Sequence, residues 1–160
     1  MTVVVDSSTL ITLARIGRLE LSPRITGEVH VPSAVFEEVV TEAESRPGSA
    51  EVGGATWVRR GSIRDLTSVE RLRARVGRGE AEAIVLAKEL GADLLVVDDA
   101  PARRVAEAEG LRVVGLLGLL LHAKHRGLVV SIKPLLDEMV AAGFFLDEPR
   151  YRSILERAGE

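Results

Sequence analysis

The sequence predicts an α/β fold of three layers: helices cover both faces of a mainly parallel central sheet of about four or five strands, and extra helices follow at the C-terminal end. Three observations predict it. Short β-branched runs alternate with longer amphipathic stretches. Two of those runs, Thr2 to Val5 and Leu94 to Val97, are apolar without a break, as in strands buried on both faces. The loops between runs are short, which suits right-handed crossovers. With 160 residues, 46% of them hydrophobic, the chain suffices for one sizeable core. A single domain over 1–160 is expected, the sheet core in 1–115 and the additional helices in 116–160.

Taken in order, Thr2 to Val5 is the first strand and Ser7 to Ile16 a helix. Glu28 to Val31 is a second strand, after which Pro32-Ser33 opens a helix through about Glu44, with Ser33 placed to cap it and Val35, Val39 and Val40 facing inward. Ala55 to Arg59 is the third strand. Leu66, Val69, Leu72 and Val76 recur at helical spacing and predict a helix with a buried stripe. Gly77 and Gly79 break it, and Glu80 to Leu90 begins another. The strand Asp93 to Val97, a helix Ala100 to Glu109 stopped by Gly110 and a strand Arg112 to Val114 complete the sheet. Helices over Leu116 to His125, Ile132 to Ala142 and Pro149 to Arg157 follow.

Composition excludes several kinds of chemistry. The absence of cysteine removes disulfides, thiolate zinc sites, iron–sulfur clusters and a thiol nucleophile. Met1 to Asp6 lacks the basic leader of a signal peptide. The longest apolar stretch, Val113 to Leu121, is far shorter than the ~20 residues of a membrane span. A soluble, cytoplasmic protein is expected. Net charge is −3, yet the segment from Arg59 to Arg78 carries seven arginines against Asp65 and Glu70. Such a segment is either a phosphate-binding footprint or a solvated helix face.

In open α/β sheets, ligands bind beyond the carboxyl ends of the strands, where strand order reverses. Asp6 ends the first buried strand and Asp98-Asp99 end the second. Glu37 or Glu38 in the second helix, and Glu80 or Glu82 after Gly79, are placed to join them. Clustered carboxylates repel unless a cation compensates them, and oxygen-only ligands suit a hard ion such as Mg²⁺ or Mn²⁺. Each acid also has a structural role open to it: Asp6 and Asp99 as helix N-caps, the glutamates as partners of a helix dipole. Residues i and i+2 differ by about 200° around a helix, so Glu80 and Glu82 cannot face one point, and Glu80 lies nearer the strand ends.

These residues resemble a PIN domain, the fold of metal-dependent ribonucleases known as toxins of prokaryotic toxin–antitoxin pairs. The likeness runs through Val3-Val-Val-Asp6-Ser-Ser8, Val31-Pro-Ser-Ala-Val35-Phe-Glu-Glu38-Val39, Gly79-Glu80-Ala-Glu-Ala-Ile84 and Leu95-Val-Val-Asp98-Asp99-Ala-Pro-Ala-Arg103-Arg104-Val-Ala106. It implies metal-dependent endonuclease hydrolysis of single-stranded RNA, with Asp6, Glu38, Glu80 and Asp98 or Asp99 as catalytic and metal-holding residues. Ser8 is implied as a buttress, while Glu37 and Glu82 stay the alternates that the reading of the residues leaves open. Arg71, Arg75 and Arg78, spaced i, i+4 and i+7, are the residues expected to meet phosphates. An antitoxin protein and a homodimer are the implied partners. Leu116, Leu117, Leu119, Leu120 and Leu121 are too many leucines for one helix face; they are buried under the C-terminal helices, or with Phe144-Phe145 they supply an interface.

Rival readings fit less well. A phosphatase of the haloacid dehalogenase type needs a second aspartate two residues after the first, where Ser8 stands, and a response-regulator receiver needs an aspartate after the third strand, where Arg59-Arg60 stand. The alternative that remains is a PIN-like domain that binds RNA or a protein and cleaves weakly.

Overall fold

The computed structural model describes residues 1–37 and 49–160. In chain order the elements are β1 (Val3–Val5), α1 (Ser7–Arg15), α2 (Leu21–Thr26), β2 (Val29–Pro32), α3 (Ser33–Glu37), α4 (Ser49–Gly53), β3 (Val58–Gly61), α5 (Leu66–Arg73), α6 (Arg78–Leu90), β4 (Leu94–Val96), α7 (Ala100–Ala108), β5 (Val113–Val114), α8 (Leu116–His125), α9 (Lys133–Ala141) and α10 (Glu148–Ala158). The five strands form one sheet, β3-β2-β1-β4-β5, and every neighbouring pair is parallel. The central strand is β1, whose three valines are fully buried.

Alternation along the strands decides what each helix covers. Val4 and Leu95 join Leu72 of α5, Ile84 and Leu86 of α6 and Val105 of α7 in one cluster. Val3, Val5 and Val96 point the other way, to Leu10 of α1 and Val35 of α3. The result is the expected three-layer α/β/α arrangement. Leu13 of α1 belongs to a further cluster with Leu21 of α2, the leucines of α8, Leu136 and Met139 of α9 and Ile154 of α10. All five leucines of α8 are buried there, so core packing accounts for them. Phe145 remains 80% exposed.

Several boundaries differ from expectation for local reasons. The edge strand β3 begins at Val58 and ends at Gly61, later than the Ala55 to Arg59 run, because its register is set by Val29 pairing with Val58 and Pro32 with Gly61. Glycine is required at that end: a β-carbon on Gly61 would stand 2.6 Å from Cδ1 of Leu86 on α6. Leu66, predicted as part of the buried stripe, is instead 65% exposed. Asp65 caps α5 by accepting the Ser68 N–H at 3.0 Å, which makes Leu66 the first helical residue and turns it to solvent. The next helix starts at Arg78, not Glu80, with Gly77 as its N-cap; Gly79 sits in the first turn. Short helices α2 and α4 carry too little periodicity to be anticipated. The predicted extension of the second helix to Glu44, with Val39 and Val40, lies outside the described residues.

The start of α9 is closed by an acid from the far end of the chain. The Glu160 carboxylate accepts the Ile132 N–H at 2.9 Å, the Lys133 N–H at 3.3 Å and the Ser131 hydroxyl, and pairs with Lys124 Nζ at 2.9 Å. Burial opposes its ionisation, but the bonds from Ser131, Ile132, Lys124 and Lys133 prevail and hold it at about 2. A depressed carboxyl pKa contributes stability above the unfolded value of 4.5 that is lost as pH falls toward 2. Glu160→Gln is expected to cost about 1 kcal/mol at neutral pH, the usual worth of a cap. It should also reduce the loss of stability between pH 5 and 2. Urea unfolding of both proteins at several pH values measures this; equal stability at pH 7 would reject the role.

Candidate active site

Strand order turns at β1, from which the chain fills the sheet outward in both directions, so the crevice beyond the ends of β1 and β4 is the switch point of the sheet. The register of Val5 with Val96 brings the two ends level, and the Asp6 N–H extends the ladder to Val96 O at 3.0 Å. Asp6 and Asp98 are therefore delivered to this crevice by the strands.

Asp6 is only 8% exposed. Its Oδ1 accepts the Thr9 N–H at 3.0 Å, capping α1, and its Oδ2 accepts the Ser8 hydroxyl at 2.9 Å. Burial drives its pKa up to about 6; the bonds from Thr9 and Ser8 pull against that, and the negative charge of Asp98 adds to it. The cap and buttress are thus both real contacts of the same carboxylate.

Glu80 is half-buried in the first turn of α6 and shares with Asp6 a small cavity of about 40 Å³ walled by Ser8, Pro32, Val35 and Ala83. Its side chain curls back over Gly77, where a β-carbon would collide with Oε2. Glu82 points elsewhere, as helical geometry predicts. It is 5% exposed, takes Arg78 Nε on Oε1 at 3.0 Å, and leaves Oε2 without a hydrogen-bond partner among the described residues. Glu37 is exposed at the end of α3, and Glu38 lies outside the described residues.

The doubled aspartate is divided by the fold. Asp99 is exposed and caps α7, accepting the Ala102 N–H at 2.9 Å. Asp98 turns to the N-terminus of α8, where Oδ1 accepts the Leu116 N–H at 2.8 Å. Burial raises its pKa, and the Leu116 bond and the positive charges of Arg103 and Arg150 oppose the rise. Gly115 makes room for it: a β-carbon there would stand 2.8 Å from Asp98 Oδ1.

A larger cleft, about 400 Å³, opens beside Asp98. Arg103 of α7 and Arg150, Ser153 and Arg157 of α10 line it. These arginines lie outside the basic segment, although Arg150 and Arg157 stand seven apart in the predicted C-terminal helix and Arg103 lies in the Ala-Arg-Arg-Val-Ala run. Arg71, Arg75 and Arg78 do not share a helix face, contrary to their spacing in sequence. Arg71 belongs to α5, Arg78 opens α6, and Arg75 lies between the two. Arg71 is drawn to Glu109 at 3.0 Å and Arg78 to Glu82, while Arg59 pairs with Glu28 at 2.5 Å, Arg73 with Glu70 at 3.0 Å, and Arg60 sits over the Phe36 ring at 5.1 Å. The linear excess of charge is largely neutralised in space.

Among the described residues, no three Asp, Glu or His side chains are gathered closely enough to hold a metal by themselves. The donor chemistry nevertheless suits a hard cation. Mg²⁺ is ordinarily bound through one or two carboxylates with retained waters and substrate phosphates, and the buried Asp6, facing a cavity shared with Glu80, is a carboxylate in need of a counter-charge. No helix of the described residues is long and apolar enough to cross a membrane.

Comparison with known sequences agrees with this geometry. No match is found among curated proteins. The sequence model of one family, described as a PIN domain, matches residues 2–160. With its parallel five-stranded sheet and aspartates at the ends of β1 and β4, the chain belongs to the PIN-domain family and has a nuclease-like fold.

Proposed function

We propose that the chain is a divalent-metal-dependent endoribonuclease that hydrolyses phosphodiester bonds of single-stranded RNA, the toxin of a toxin–antitoxin pair. The observation that carries this reading is Asp6: a buried carboxylate at the switch point, opening onto a cavity shared with Glu80 and within the field of Asp98. Asp6, Asp98 and Glu80 would hold Mg²⁺ or Mn²⁺, and Glu38 is the fourth residue proposed for the set. Bound there, the ion supplies Lewis-acid polarisation of the phosphate and a lowered pKa for water.

The chain's own residues do the rest. Ser8 and the Thr9 N–H fix the Asp6 carboxylate, and the Leu116 N–H fixes Asp98, so neither acid reorganises as charge develops. Glu80, which shares the cavity with Asp6, would help to orient the attacking water. Arg103 and Arg150 offset the charge that Asp98 presents to an anionic substrate. Phe145 is one of the exposed apolar residues that a second copy of the chain or an antitoxin would cover.

Incubation with single-stranded RNA and Mn²⁺ or Mg²⁺ is expected to give internal cuts that EDTA stops. Asp98→Asn should lower the rate by orders of magnitude with little change in melting temperature. RNA left intact with every divalent ion would leave the weakly cleaving, binding-only domain as the better reading. Cleavage that survives EDTA would point to a contaminating nuclease. The toxin role is tested by the neighbouring gene, which should encode a small DNA-binding antitoxin, and by growth arrest on expression that the antitoxin relieves.

A further inference from the structure

The cleft beside Asp98 holds three guanidiniums against one carboxylate. Arg150, Ser153, Ile154 and Arg157 stand at i, i+3, i+4 and i+7 of α10 and so share one side of the helix. Ile154 is buried in the cluster that includes the α8 leucines, which seats that side of α10 against α8 and sets the two arginines at the cleft. Among the described residues, Arg103, Arg150 and Arg157 form no ion pair within 4.0 Å, whereas Arg152, on another side of α10, pairs with Glu148 at 3.0 Å. Positive side chains left uncommitted around a concave surface raise the local concentration of anions. Guanidinium groups match phosphate oxygens through paired N–H donors. The wall opposite α10 includes Gly115 and Gly118, which present little more than backbone.

We infer that this cleft seats the phosphodiester backbone of a single nucleic-acid strand on one side of the bond to be cut. Arg150 and Arg157 hold phosphates at the rim, and Arg103 holds the phosphate next to Asp98. The inference rests on the nuclease reading for what the strand is, but not for whether the cleft binds it.

The test is binding of a fluorescein-labelled single-stranded oligouridylate in EDTA, followed by anisotropy over a range of KCl concentrations. Arg150→Ala/Arg157→Ala is compared with wild type and with Arg24→Ala/Arg152→Ala, which removes the same charge elsewhere. The cleft variant is expected to bind about tenfold more weakly or worse, and its log–log salt slope to fall by about 1.4, since roughly 0.7 counterion is released per single-strand phosphate neutralised. The charge-matched control should behave as wild type. Equal affinity and slope for wild type and the cleft variant overturn the inference, as does an equal loss in the control, which would mark a net-charge effect.

Cleavage with Mn²⁺ separates the two readings. Undiminished cleavage by the cleft variant at subsaturating RNA removes the cleft and leaves the nuclease. Cleft-dependent binding without any cleavage removes the nuclease and leaves the cleft. Wild-type protein that binds no oligonucleotide in EDTA removes the cleft, and cleavage with Mn²⁺ then decides the nuclease separately. Matched melting curves exclude unfolding of the variant, whose two arginines are exposed.

Discussion

Asp6→Asn is expected to abolish cleavage while making the metal-free protein more stable at neutral pH. The two effects have one cause. Burial of the carboxylate raises its pKa from 3.8 to about 6, so the folded state binds a proton more tightly than the unfolded chain does. Stability from this group is fully present below pH 3.8 and is lost as pH rises through about 6. At 1.36 kcal/mol per pH unit, the ionised folded state is about 3 kcal/mol worse off at pH 7 than an uncharged equivalent. Asparagine keeps the shape and an oxygen for the Thr9 N–H, so it should recover on the order of 1–3 kcal/mol after some loss at the cap. Urea unfolding of the metal-free proteins from pH 4 to 7 should show the difference in stability, variant minus wild type, growing as pH rises through about 6. A divalent ion reverses the order: bound at a hundred times its Kd, it stabilises by about 2.7 kcal/mol, and the variant should not respond. A variant that is less stable than wild type at pH 7 without metal would mean that the charged cap outweighs the burial. Unchanged cleavage would remove Asp6 from the chemistry.

What the sequence made legible follows from which contacts are local. Three valines followed by Asp6, and Leu94 to Val97 followed by Asp98, place acids at strand ends because strand and crevice are consecutive in the chain. Glu80 and Glu82 separate by helical angle alone, and the structure puts one at the cavity and the other against Arg78. Asp98 and Asp99 do not separate that way, since both follow the strand. Only the N-terminus of α8, which takes Asp98, and that of α7, which takes Asp99, tell them apart. The basic segment misleads for a similar reason. Its neutralising acids, Glu28 and Glu109, are 31 and 38 residues from Arg59 and Arg71. The cleft is hidden too, because α7, the start of α8 and one side of α10 are far apart in sequence; α7 is set by the sheet-side cluster, and α8 and α10 by packing of the C-terminal leucines.

That same meeting makes Gly115 the residue whose enlargement should separate activity from stability. Its backbone is extended, φ −91° and ψ 173°, a conformation any residue adopts, so alanine brings no backbone strain. The difficulty is spatial. The new β-carbon would lie 2.8 Å from Asp98 Oδ1 and 3.6 Å from Arg103 Nη1, and Val97 O is 3.8 Å away. The strand oxygen cannot retreat, whereas the Asp98 side chain can, by giving up the Leu116 N–H it holds at 2.8 Å. Stability should fall by about 1 kcal/mol, the cost of a glycine N-cap replaced by alanine with one partly buried hydrogen bond lost. Cleavage should fall far more, by about a hundredfold, because a displacement of about 1 Å in a reacting group costs that much. The comparison with Asp98→Asn is decisive: if Gly115 acts through Asp98, the double variant should be no slower than Asp98→Asn alone. Independent, multiplying losses would show instead that Gly115 matters for how the strand lies in the cleft.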